Sequence, residues 1–159
     1  MVKNFLFLLI FFLLALIEQS FLVHFSFANF TPHLIFIAIF LLIFFNLKED
    51  WILPALFGGF FLDVFSGGIF GIKTLNLVFV TLFLRSAWSL IRQKSFFWFI
   101  FIFSLALLLY NFSFFLFKIC FKRSLISFNL EPVSLIYNLI FAILGFLFYE
   151  IFLSLKKRF

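Results

Sequence analysis

The sequence predicts an all-α, polytopic membrane protein, a single integral membrane domain (1–159) of six transmembrane helices. Two observations set the class and a third sets the count. Hydrophobic residues make up 67% of the 159-residue chain and charged residues 11%, where a soluble domain carries about 25% charged. Apolar runs follow one another with only short polar breaks. A hydrocarbon core of roughly 30 Å takes about 20 apolar residues per helix, so six spans use most of the chain. No length remains for a soluble catalytic domain or a nucleic-acid module. The excess of 12 Lys plus Arg over 6 Asp plus Glu is therefore a topology signal, since basic residues collect in cytoplasmic loops. A single cysteine, Cys120, excludes an internal disulfide and a cysteine-rich metal site. It reads as an inert thiol at an apolar helix end.

The first span, 4–23, follows Lys3 and is interrupted by Glu18 and Gln19. Ser26 and Ala28 have the small-x-small spacing of a signal-peptidase site. The apolar core is long for a signal and only one basic residue precedes it, so a retained span is the expectation. Thr31 and Pro32 then read as a helix start, a capping hydroxyl followed by a proline whose φ already suits the first helical position. The second span, 32–47, ends at the polar turn Lys48, Glu49 and Asp50, whose acids lie where the dipole of the third helix favours anions. Pro54 falls in the first turn of that helix, where a missing N–H does no harm.

The third span, 51–66, reaches only roughly 24 Å. It falls short of the hydrocarbon thickness unless the glycine loop behind it dips inward. Gly67 is the expected terminator. The fourth span covers 74–90 and the fifth 96–117, and the sixth, 132–155, opens at Glu131, Pro132, Val133 and Ser134. With the N-terminus inside, the cytoplasmic side holds Lys3, Lys48, Arg85, Arg92, Lys94, Lys156, Lys157 and Arg158, and the outer side Lys73, Lys118, Lys122 and Arg123. The bias places both termini in the cytoplasm. Trp51, Trp88 and Trp98 fall at the predicted cytoplasmic helix ends, where indole prefers the interface.

The stretch PALFGGFFLDVFSGGIFGIKTL, residues 54–75, is the most informative. An aspartate at a helix centre costs about 2.5–3.5 kcal/mol on insertion scales, where each Leu or Phe returns only about 0.3–0.6. Asp63 lies roughly 18 Å from the start of its helix and Glu18 roughly 21 Å from the start of the first, so both acids are expected in the outer half of the membrane. An intramembrane acid is a functional-site hypothesis. The leading structural alternative is that Asp63 binds the free amides of the Ser66, Gly67, Gly68 turn. Ala55, Gly59 and Asp63 recur every four residues, a small-residue stripe that lets another backbone approach. Gly67, Gly68 and Gly71 permit a non-helical turn, tolerated at membrane depth only where protein or water covers it.

These residues carry a resemblance to a family. Pro32, His33 and the apolar run behind them, then Gly59, Asp63, Ser66, Gly67, Gly71 and Lys73, resemble the pattern of the rod shape-determining protein MreD. The likeness covers the second to fourth spans and the entry to the sixth. His33 stands where the family tends to have an acid or amide. The resemblance implies a non-enzymatic subunit of the bacterial elongation machinery in the cytoplasmic membrane, without cofactor. Its implied partners are a bitopic MreC-like scaffold, MreB, the glycosyltransferase RodA and a penicillin-binding transpeptidase, with a homodimer also open. It further implies a fold similar to the six-helix substrate-binding components of energy-coupling factor transporters. The Ala55, Gly59, Asp63 face and the turn of Ser66, Gly67, Gly68, Gly71 and Lys73 are then the expected place of helix packing or scaffold contact.

Two rival classes share parts of this pattern. A vitamin-binding transporter component would share the architecture, but the first helix offers only Ala15 among bulky residues where small ones are needed for the coupling subunit. Its polar candidates would be Glu18, Gln19, Asp63, Asn76, Tyr110 and Asn111. An intramembrane metalloenzyme would have to draw its ligands from His24, His33, Glu18 and Asp63. The two histidines flank a short loop and read as solvated or interfacial, and neither HExxH nor GxSxG occurs. No catalytic or metal-binding residue is assigned.

Overall fold

The computed structural model describes residues 2–24, 31–46, 51–88, 95–122 and 132–156. Among them the chain forms six α-helices: α1 Val2–Leu16, α2 Leu34–Phe44, α3 Ile52–Ser66, α4 Ile72–Trp88, α5 Phe96–Lys122 and α6 Pro132–Lys156. A π-helical turn, Ile17–Phe21, continues α1. The polar turn at 48–50, the Ser26 and Ala28 pair and Glu131 lie outside the described residues.

Helix ends differ from expectation where side chains from elsewhere decide them. The second helix does not start with Thr31 as cap and Pro32 as first residue. It starts at Leu34, with His33 in the N-cap position and no side-chain cap of its own. α5 runs to Lys122, past the expected end at 117, because lysine is a good helix former and Lys118 does not break the repeat. α3 ends at Gly67, whose φ of 60° is the left-handed conformation that glycine adopts without strain.

α2 is the central helix. It touches α1, α3, α4 and α6, and seven of its 11 residues are buried, the mark of a helix enclosed on most sides. Phe36, Phe40 and Phe44 meet Phe99 and Phe103 of α5 in mostly tilted and edge-to-face pairs, with centroids 5.0–5.9 Å apart, the geometry that ring quadrupoles favour. Phe146 of α6 closes this aromatic core against Phe99 at 4.6 Å.

Glycines set two close contacts of α3. A Cβ on Gly59 would lie 2.4 Å from the Thr74 Cα, so α3 and α4 approach backbone to backbone there. A Cβ on Gly58 would meet the Ile35 side chain at 2.6 Å and Phe11 at 3.1 Å, which seats α3 on α2 and α1. α5 and α6 contain stretches, Phe96–Phe121 and Val133–Leu153, long and apolar enough to cross a bilayer. Large apolar side chains cover the exterior, Phe97 being 83% and Phe148 75% exposed. Such a surface suits lipid.

Candidate functional site

Most of the buried polar groups gather in one layer near the starts of α2, α4 and α6; Thr81 lies deeper along α4 and donates to the Leu77 carbonyl of its own helix. Asp63, on the last turn of α3, is buried. Its Oδ1 accepts the Lys73 N–H at 3.0 Å and its Oδ2 the Thr74 N–H at 3.0 Å. The Thr74 hydroxyl donates to Oδ2 as well. Lys73 and Thr74 are the second and third residues of α4, whose amides have no partner within the helix. Asp63 is therefore the N-terminal cap of the next helix, placed where the helix dipole favours a negative charge. The acid does bind free amides, but those of α4 beyond the glycine turn, and the expected bonds to Ser66, Gly67 and Gly68 are replaced. Ser66 itself donates to the Asp63 carbonyl at 3.5 Å.

Glu18 repeats the device on the first helix pair. The π turn carries it into the interior, where it is 2% exposed. Its Oε2 accepts the Ile35 N–H at 3.0 Å, and Ile35 is the second residue of α2. The His33 ring nitrogen Nδ1 lies 3.5 Å from Oε1. His33, at the N-cap position of α2, is only partly exposed. Its ring lies against Glu18 and the Tyr110 ring, 5.2 Å between centroids, and its N–H donates to Asn138 Oδ1 of α6 at 2.7 Å. The Asn138 side chain donates in turn to the Ser134 carbonyl at 2.8 Å.

Asn76 ties α4 to α5. Its Nδ2 donates to the Tyr110 carbonyl at 3.1 Å, and its Oδ1 accepts the Ser113 hydroxyl. Among the described residues no buried side-chain nitrogen or oxygen lacks a hydrogen-bond partner. The layer thus joins helix ends into one body.

The stripe of Ala55, Gly59 and Asp63 is buried and faces inward. Gly59 and Asp63 meet α4 of the same chain, so the stripe serves packing within the bundle. The turn residues Gly67 and Gly68 are exposed, with positive φ at Gly67 and at Gly71. His24 is exposed; its ring Nδ1 lies 2.9 Å from the Ser20 carbonyl and its backbone N–H donates to the Phe21 carbonyl at 3.2 Å. It does not join His33. Ser113 and Thr74 were missed by sequence reading. The available signal was a hydroxyl in an otherwise apolar run, three residues after Tyr110 in one case and directly after Lys73 in the other.

With this geometry in view, comparison with known families is decisive. The family model for the rod shape-determining protein MreD matches residues 1–157. The chain belongs to the MreD family. An MreD protein is a membrane protein with a role in rod shape determination, and the match takes in the whole bundle, both capping acids and the glycine turn. No curated protein and no solved structure matches the chain.

Proposed function

We propose that this MreD-family chain is a non-enzymatic, multi-pass subunit of the cell-elongation complex in the cytoplasmic membrane, with both termini inside. It supports a bitopic MreC-like scaffold and through it peptidoglycan synthesis, in company with MreB, RodA and a penicillin-binding transpeptidase. The carrying observation is the family match along residues 1–157. The site's geometry supports it. Glu18, Asp63 and Asn138 are engaged with helix ends of their own chain and Asn76 with the middle of α5, which suits a rigid scaffold better than a receptor for a polar vitamin, whose pocket needs converging polar groups free to bind it. A small groove between α5 and α6, lined by Ser104, Leu107, Leu108, Leu135, Ile136 and Leu139, is almost wholly apolar. The six-helix plan similar to energy-coupling factor components belongs to this reading as an architecture without the transport function.

The test is native mass spectrometry of the chain gently extracted from cells that also express the MreC-like scaffold. A stoichiometric complex with the bitopic protein is the expected result. A particle carrying a vitamin-sized mass and no bitopic partner would overturn the reading in favour of transport. A homodimer would appear in the same spectrum as a doubled mass.

A further inference from the structure

α6 is held to the bundle unevenly along its length. Its second half, from Gly145 on, is clamped. A Cβ on Gly145 would lie 2.8 Å from the Leu41 side chain of α2, so the two helices touch there. Phe146 packs on Phe99 and Phe96 in the first turn of α5, with centroids 4.6 and 5.4 Å apart, and Tyr149 packs on Phe45 at the end of α2, at 3.8 Å.

The first half meets α5 less closely. Between Leu135, Ile136 and Leu139 of α6 and Ser104, Leu107 and Leu108 of α5 runs an open groove of about 150 Å³, almost wholly apolar. Packed interiors leave few voids larger than a water molecule, so the α5–α6 seam is unfilled over this stretch. A polar contact holds this half from the side of α2. The His33 N–H donates to Asn138 Oδ1 at 2.7 Å, and Asn138 stands in sequence between the groove residues Leu135 and Leu139. Its own NH2 group donates to the Ser134 carbonyl at 2.8 Å, which aims the amide. One turn on, Ala142 is fully buried but offers only a methyl group to the core.

We propose that Asn138 is a latch and Gly145 a hinge: residues 132–144 of α6 close on the bundle when Asn138 holds the His33 amide, and swing away from α5, widening the groove, when it lets go. Hinges are a few residues that absorb a change of direction, often small ones, and Gly145 has no side chain to obstruct it. The closed form is the resting state, because a backbone amide without a partner is costly in lipid. A hydrogen bond between two helices is nevertheless a modest tie in a bilayer, which leaves the open form as a minor state. Opening bares the His33 amide, beside the contact of the His33 ring with Glu18 at 3.5 Å, to whatever enters the widened seam. The device belongs to this chain alone and does not rest on the scaffold reading.

Double electron–electron resonance on the full chain, in a Cys120→Ser background and in vesicles of phosphatidylethanolamine and phosphatidylglycerol, tests it. α4, tied to α5 by Asn76, supplies the fixed frame. One nitroxide pair reports the first half of α6, Ile136→Cys with Leu75→Cys, and a reference pair the second half, Phe148→Cys with Phe83→Cys. All four positions are exposed, so the labels do not enter the core. The first pair is expected to show one main distance and a minor longer one, and Asn138→Leu to raise the longer fraction several-fold, while the reference pair keeps a single distance throughout. A first pair unchanged by Asn138→Leu would overturn the latch. Equal broadening of both pairs would overturn the hinge, since α6 would then loosen as a whole. Should Asn138→Leu not elute as a monodisperse species, the chain with Asn138 in place decides: a first pair broader than the reference supports the device, and equal widths overturn it.

Discussion

At the scale of the residue, Asp63 accepts three hydrogen bonds from the first turn of α4, two from backbone amides and one from a hydroxyl. Asp63→Ala leaves all three donors without their partner in a buried site, and each lost partner costs about 1–3 kcal/mol. Asp63→Asn keeps one acceptor oxygen but turns an NH2 group towards a donor, so its loss is smaller. Thr74→Val removes only the hydroxyl, at about 1 kcal/mol. Thermal unfolding in detergent, followed as loss of the monodisperse elution peak, should rank Thr74→Val mildest, Asp63→Asn intermediate and Asp63→Ala most damaging. Equal midpoints for Asp63→Ala and wild type would refute the cap. Glu18→Gln retains an acceptor for the Ile35 amide, whereas Glu18→Ala does not. Only the alanine variant should therefore speed hydrogen exchange at the start of α2. Asp63 stood out in the sequence because an acid among phenylalanines is costly. Its partners were not, since Lys73 and Thr74 lie across a turn whose path the sequence does not specify. The link between His33 and Asn138 spans 105 positions, beyond any local pattern.

At the scale of the element, the helices that end in a strong signal were the legible ones. α3 lies at 52–66 against an expected 51–66, and its stop is the left-handed Gly67. α2 was misplaced because Thr31 and Pro32 imitate a helix start, while the actual start is fixed by Glu18 reaching from the π turn to the Ile35 amide. Local sequence cannot reveal a cap supplied by another helix. The small-residue stripe read as a packing or partner face; in the structure Gly59 and Asp63 meet α4. Gly59→Ala tests that contact. The added methyl would lie 2.4 Å from the Thr74 Cα, and backbone cannot rotate aside as a side chain tip can, so the helices must separate at about 1–3 kcal/mol, the usual cost of overpacking. Gly68→Ala meets nothing closer than the Ser66 hydroxyl at 3.8 Å and should leave stability unchanged. Comparable losses in both variants would mean that backbone freedom, and not the α3–α4 approach, is what Gly59 supplies.

At the scale of the whole molecule, composition alone pointed to lipid, and the buried polar layer explains how the acids Glu18 and Asp63 and the amides Asn76 and Asn138 are tolerated there. Each has a hydrogen-bond partner on another helix, and the acids lie where helix dipoles favour them. Such a bundle is rigid at one end, while its apolar flanks remain available to lipid or to a partner helix. Which end faces the cytoplasm is a prediction from the basic residues. The sequence sets Lys3, Lys48, Arg85, Arg92, Lys94, Lys156, Lys157 and Arg158 on one side against Lys73, Lys118, Lys122 and Arg123 on the other. The larger group is expected in the cytoplasm together with both termini, which would turn the polar layer towards the outer face. Fusion of a reporter that fluoresces only in the cytoplasm to either terminus should give fluorescent cells. A phosphatase active only outside, inserted in the segment at 123–131 between α5 and α6, should be active. The reverse pattern at all three sites would invert the bundle and bring the capping acids to the cytoplasmic side. A split result between the two termini would mean that an odd number of segments crosses, and with it that one of the shorter helices, α2 at 11 residues being the shortest, does not span the bilayer.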